Sequence, residues 1–265
     1  PEALSLLSQI LLLDKKEAES EKILSKVIKI NPELPSVQRN EVRLLLKQSK
    51  FSEALEKAQI LHDRSTDDPE NNLILSACFG ANKKDEQALV FIEKALNILP
   101  NYAEAFANRA LIRLRAKDIP GFIEDAEKAT ALKPHMTHVW SLLSTIHFEK
   151  KNISSGIDAT KKACELDPTN AYLWERLGLF FQQDGNFSNA SIAYEKSLAI
   201  NPKSAGVLNN LGAIAQISND WDSALRYFEG GLEINSKSAE IHNNLGTTLK
   251  KIRRLDEAKI SYRKA

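Results

Sequence analysis

Five histidines, two cysteines and 35 carboxylates are available for chemistry in this chain of 265 residues. His135 and His138 stand three apart and offer two imidazoles at one helix start. No cysteine or third histidine accompanies them, and a protein metal site draws on three or four such ligands. His147 falls on an apolar stripe and reads as a core residue. Asp67-Asp68 precedes a helix and reads as an N-terminal cap whose charge complements the helix dipole. The sequence holds no Gly-rich phosphate loop, no nucleophile elbow and no His-Glu-x-x-His. Cys78 and Cys164 are too far apart and too few to make a disulfide framework. No catalytic residue, cofactor or metal is therefore expected within these residues.

What does recur is a set of recognition groups. Asn209-Asn210 and Asn243-Asn244 are doublets separated by 34 residues, and Asn40 and Asn108 share their register. A primary amide donates and accepts at once, so it can bind the N–H and C=O of an extended peptide with little demand on its sequence. In the same register Arg176 replaces the asparagine, and Leu6, Ile74 and Leu142 interrupt the row. Arg39, Arg43 and Lys47 are spaced by four and share one helix face, where they could meet an acidic segment. The wall around Arg176 carries Tyr172, Gln182 and Gln183, with His138 and Phe148 nearby. For each of these sets a solvated helix face is the plainer alternative. Arg109 has two readings: a structural ion pair with Glu124 or Asp125 on the facing helix, or an anion-binding arginine.

The elements that must position these groups follow from a period of 34. Trp174-x2-Leu177-Gly178-x2-Phe181 is followed by Ala190-x3-Tyr194 and Pro202, and the same places are taken by Leu208, Leu211, Gly212, Ala224 and Phe228, then by His242, Leu245, Gly246, Ala258 and Tyr262. Within each block the apolar residues fall at helical spacing in two runs separated by a turn signal such as Asp184-Gly185-Asn186. Each block therefore predicts a helix pair, A and B. The small residues Gly178 and Ala190 are expected to let the two axes approach. One pair cannot cover both of its apolar faces, so neighbours must stack on it. The blocks run 1–34, 35–68, 69–102, 103–136, 137–170, 171–204 and 205–238, with a partial block at 239–265, forming one array over 1–265. The fourth block departs most: Ala110 faces Phe122 after Ile119-Pro120-Gly121, which predicts a wider gap or a local kink.

This period and pattern resemble the tetratricopeptide repeat (TPR). The resemblance implies an all-α, right-handed superhelical solenoid of stacked antiparallel helix pairs, with A helices lining a concave groove. It implies a non-catalytic protein-interaction scaffold that binds an extended peptide or partner segment, through Asn40, Asn108, Asn209, Asn210, Asn243 and Asn244 with Arg39, Arg43 and Arg176. The asparagine row is similar to that lining the repeat domain of O-linked N-acetylglucosamine transferase. Two other roles stay open: the substrate-recruiting arm of a larger glycosyltransferase- or sulfotransferase-like enzyme, and a structural subunit of an assembly. The chaperone-binding carboxylate clamp of some such repeats is not matched by any three consecutive blocks, since block four offers Glu104 and Asn108 where a basic pair is required.

Composition narrows the partners. The formal net charge is +1, which gives no bulk attraction to nucleic acid, and apolar runs such as 10–13 are too short for membrane insertion. A protein or peptide partner is expected. The chain begins at Pro1 and stops inside a block, so it is read as a piece of a longer protein, and the missing targeting signal leaves localisation open. At that end Leu249, Leu255, Ala258 and Tyr262 are expected to lie uncovered and to favour self-association.

Overall fold

A computed structural model describes residues 1–13 and 16–265. Among them are sixteen helices and no strand. The chain divides into two compact units. The first, Pro1–Pro134, holds α1 (Glu2–Leu13), α2 (Glu17–Ile30), α3 (Pro35–Lys47), α4 (Phe51–Arg64), α5 (Pro69–Ala81), α6 (Asp85–Ile98), α7 (Ala103–Arg115) and α8 (Ile119–Leu132). The second, His135–Ala265, holds α9 (Thr137–Glu149), α10 (Ile153–Leu166), α11 (Ala171–Gln183), α12 (Phe187–Ile200), α13 (Ala205–Ile217), α14 (Trp221–Ile234), α15 (Ala239–Lys251) and α16 (Leu255–Lys264). Odd-numbered helices are the A helices.

Each A helix from α3 onward ends in the same backbone device. Ser49, Lys83, Lys117, Lys151, Gly185, Asn219 and Arg253 all take positive φ, between 58° and 75°, at intervals of 34 residues. On either side the hydrogen bonds repeat: Lys84 N–H donates to Phe79 C=O and Lys83 N–H to Gly80 C=O, and likewise Asn186 to Phe181 and Gly185 to Gln182. This six-to-one plus five-to-two pair caps the last carbonyls of the helix and turns the chain back. Asp68 caps α5 as expected, accepting from the N–H groups of Glu70 and Asn71 at 2.8 and 3.1 Å.

The close approach within a pair is made by glycine against an aromatic ring rather than by glycine against alanine. A Cβ on Gly178 would stand 2.5 Å from Tyr194, and one on Gly212 2.5 Å from Phe228. Ala190 and Ala224, four residues before those rings, are wholly buried and give them room. Block four exchanges large and small: Phe122 comes first and Ala126 four residues later, both fully enclosed. The expected kink is not found. Pro120 sits in the first turn of α8, where no helical donor is lost, and the helix runs unbroken to Leu132.

Within the first unit α1 packs on α3, α3 on α5 and α5 on α7, and within the second α13 packs on α15; among the described residues no successive B helices of a unit pack comparably. The A helices thus lie on the tighter side of each stack. At the last block Leu249 and Ala258 are buried, contrary to expectation, because α15 and α16 close over the cluster of Phe228, Ile241 and Leu245. Leu255 and Tyr262 do remain exposed. Cys78 and Cys164 are both buried free thiols.

Candidate binding faces on the A helices

In the first unit the basic face of α3 is engaged with the next block. Arg39 forms an ion pair with Asp68, reaches Glu70 at 2.5 Å and donates through Nε to Asn71 Oδ1 at 2.9 Å. Arg43 donates to Glu70 at 2.5 Å and to Asn40 Oδ1 at 3.0 Å. Asn40 is 1% exposed and donates to Ser5 C=O at 2.7 Å. The acidic partners stand in the cap and first turn of α5, where the helix dipole also favours negative charge. Asn40, Arg39 and Arg43 therefore tie α1, α3 and α5 together; Lys47, the third member of the basic set, faces solvent. Of the partners outside α3 only Asp68 lies within block two; Glu70 and Asn71 come from the block after it and Ser5 from the block before.

Asn108 is placed differently. It is half-buried and lines a cavity of about 190 Å³ between α5 and α7, with Ser76, Gly80, Leu111 and Arg115. Its neighbour Arg109 takes the structural reading. It grips Asp125 on α8 through two bonds of 2.8 Å, and Glu93 on α6 at 2.5 Å. These bonds hold its guanidinium above the usual range. Glu124, the other candidate, instead pairs with Lys128 at 2.6 Å.

In the second unit the asparagine doublets divide their labour. Asn209 is buried and donates to Glu240 at 2.8 Å; Asn244 donates to Asn209 Oδ1 at 2.9 Å. Gln216, which the sequence did not single out, bridges from α13 to Asn244 C=O at 2.9 Å and Thr248 Oγ1 at 2.7 Å. This is a side-chain seam between A helices. Asn210 is half-buried beside the Tyr194 hydroxyl, which donates to Gln182 at 2.8 Å. Asn243 is exposed. The Oδ1 of Asn244 keeps an open acceptor. His242 performs the task of Trp174 two blocks earlier: His242 Nε2 lies 3.0 Å from Ser236 C=O, and Trp174 Nε1 donates to Pro168 C=O at 2.9 Å.

Arg176 stands apart from all other arginines on A helices. Its guanidinium lies over the Tyr172 ring at 4.6 Å and the Phe148 ring at 5.5 Å. The residue is 9% exposed, and its enclosed Nη1 has no hydrogen-bond partner among the described residues. Burial holds the group below its usual range, opposed by the field of Glu149. An unbonded buried donor costs roughly 1–3 kcal/mol, which two cation–π contacts of about 0.5–2 kcal/mol each offset only in part. The other sequence candidate of this region, His147, is buried as a core residue. Among the described residues no cluster of three or more His, Cys, Asp or Glu side chains could hold a metal ion, and no helix is long and apolar enough to cross a membrane.

The tetratricopeptide repeat family model matches residues 171–204 and 239–265, the sixth and eighth blocks. A search of curated protein sequences finds no match. Solved structures share the fold at low identity. The chain is similar to one in the Cut9–Hcn1 hetero-tetramer of the APC/C (16% identity, TM-score 0.58), over 98% of this chain and 52% of that one. It thus spans about half of that relative's length. It is also similar to the C-terminal part of a TPR repeat-containing protein from Cytophaga hutchinsonii (15% identity, TM-score 0.66), over 85% of this chain and 93% of that one. For YrrB, described as a TPR protein with an unusual peptide-binding site, the figures are 15% identity, TM-score 0.63, 69% and 95%. Each of the two units is an all-α stack of helix pairs, similar in fold to these TPR structures.

Proposed function

We propose that this chain is a non-catalytic protein-interaction scaffold that holds an extended partner segment along its A-helix faces. The observation that carries the reading is the set of amides on those faces that do not tie one repeat to the next: Asn108, Asn243, the acceptor of Asn244, and Asn210, whose side chain meets only the Tyr194 hydroxyl among the described residues. The peptide-binding site ascribed to YrrB and the assembly that holds Cut9 make protein partners the natural class for this fold. A preformed face leaves most of the ordering cost to the partner. Asn40, Arg39 and Arg43 serve such binding indirectly, by fixing the register of α3 and α5.

The test compares the affinity of a recovered partner for the unmodified chain, for Asn210→Ala with Asn243→Ala, and for Ile192→Ala on the exposed face of α12. Two lost hydrogen bonds are worth roughly 1–3 kcal/mol together, so the double variant should bind about 5- to 150-fold more weakly, while Ile192→Ala is unchanged. Equal affinity of all three would remove the A-helix face from the account.

A second reading, self-association through the last helix, rests on Leu255, Ile260 and Tyr262, which are 53%, 52% and 39% exposed on α16. Light scattering at increasing concentration should then show a dimer that Ile260→Glu abolishes. A monomer throughout would remove this reading.

A further inference from the structure

We infer that Arg176 receives an oxyanion carried by the bound segment, an acidic or phosphorylated side chain, and so fixes where that segment sits on the second unit. The inference rests on the proposal that the A-helix face binds a peptide. Five other arginines stand on A helices, and each is ion-paired: Arg39 with Asp68 and Glu70, Arg43 with Glu70, Arg109 with Asp125 and Glu93, Arg113 with Asp125, and Arg115 with Asp85. Arg176 has no carboxylate within ion-pair distance and no hydrogen bond among the described residues, though it is nine-tenths buried. A folded chain that encloses a permanent cation without a counter-charge is arranged for a partner that supplies one.

The geometry also selects the direction of approach. The guanidinium lies over the rings of Tyr172 and Phe148, and Phe148 is held in turn by an edge-on contact with Phe180, centroids 5.3 Å apart at 85°. The enclosed Nη1 is the donor left without a partner, and a carboxylate or phosphate that reaches it bonds the guanidinium fork through two donors at once. Tyr172 is 56% exposed in the first turn of α11, so its ring can swing aside as the anion enters. Glu149, whose field reaches the site, is exposed and makes no ion pair with it.

The probes are N-acetylglutamate amide, N-acetylphosphoserine amide and, as a neutral control, N-acetylglutamine amide. Each is titrated into the unmodified ¹⁵N-labelled chain while the Arg176 Nε–H resonance is followed. A saturable shift with either anion and none with glutamine amide is the expected result, and the stronger of the two identifies the source of the oxyanion. Arg176→Lys keeps the charge but loses the planar fork, and should weaken the anion at least tenfold by shifts of neighbouring amides. No saturable shift with either anion, or an equal shift with the neutral control, overturns the inference without reliance on any variant. The groove proposal fails separately. If Asn210→Ala with Asn243→Ala leaves partner affinity intact while the anion shift persists, Arg176 is an anion site outside a peptide groove, and its role in seating a bound segment is overturned.

Discussion

Asp125 is the residue on which block four depends most. Its carboxylate is wholly enclosed and accepts from Arg109 at 2.8 Å and Arg113 at 3.0 Å. Removing it leaves two cations facing an apolar helix pair, so Asp125→Ala should lower stability by about 3–5 kcal/mol in urea unfolding. Glu93 touches the same Arg109 but is half exposed, and Glu93→Ala should cost under about 1 kcal/mol. Similar costs for the two would show that burial does not set the strength of this network. The cysteines obey the same logic in reverse. Burial pushes both the Cys78 and Cys164 thiols up to about 12, and only the thiolate reacts with disulfide reagents. Both should stay inert to such a reagent at pH 8 in the folded chain and react at once in denaturant.

At the scale of the element, glycine has two separate tasks that substitution can tell apart. Gly178 faces Tyr194 with no room for a Cβ, so Gly178→Ala should destabilise by about 1–3 kcal/mol despite the better helix propensity of alanine. Gly185 has open space around it but φ of 75°, and alanine there should cost about 1 kcal/mol through the backbone alone. Lys117 shares that backbone region at φ 62°. Lys117→Gly should therefore raise the melting temperature. A fall would mean that the lysine side chain contributes more than the strain removes.

These elements were legible to different degrees. The starts of the A helices from α3 onward coincide with the block starts because the 34-residue period carries apolar spacing and prolines together. The turns announced themselves only at Asp184-Gly185-Asn186; elsewhere lysine, serine, asparagine or arginine holds the same left-handed position, fixed by backbone bonds that no side chain reports. The site was legible as residue types and not as roles. Asn40 and Asn244 share a register with Asn108 and Asn210, but bonding to Ser5 and to Asn209 turns them inward. A single-block reading cannot see partners contributed by a neighbouring block. The pairing of Arg109 with Asp125 was accessible because both lie in one block, on facing helices.

For the molecule as a whole, several large shifts lie on the alkaline side. Tyr102 is pushed up to about 12 by burial and by Glu70, and Tyr194 is raised by burial; the two thiols move the same way. Each group holds its proton more tightly folded than unfolded. Its contribution is complete below the unfolded value, about 9 for thiols and 10 for phenols, and is lost as pH rises toward 12. The melting temperature should hold level through neutral pH and fall steadily above about pH 9. A flat profile to pH 11 would contradict that burial. The bonds between successive A helices have a mechanical side as well. In blocks two and three, and again in seven and eight, polar cross-links fasten one edge of the stack, while among the described residues each B helix packs chiefly on the next A helix. Such a stack is stiff along one margin and compliant along the other, like a book bound at its spine. Within each unit, bending that fans the B helices apart strains few bonds, so the face offered to a partner can change its curvature while the spacing of its recognition groups stays fixed.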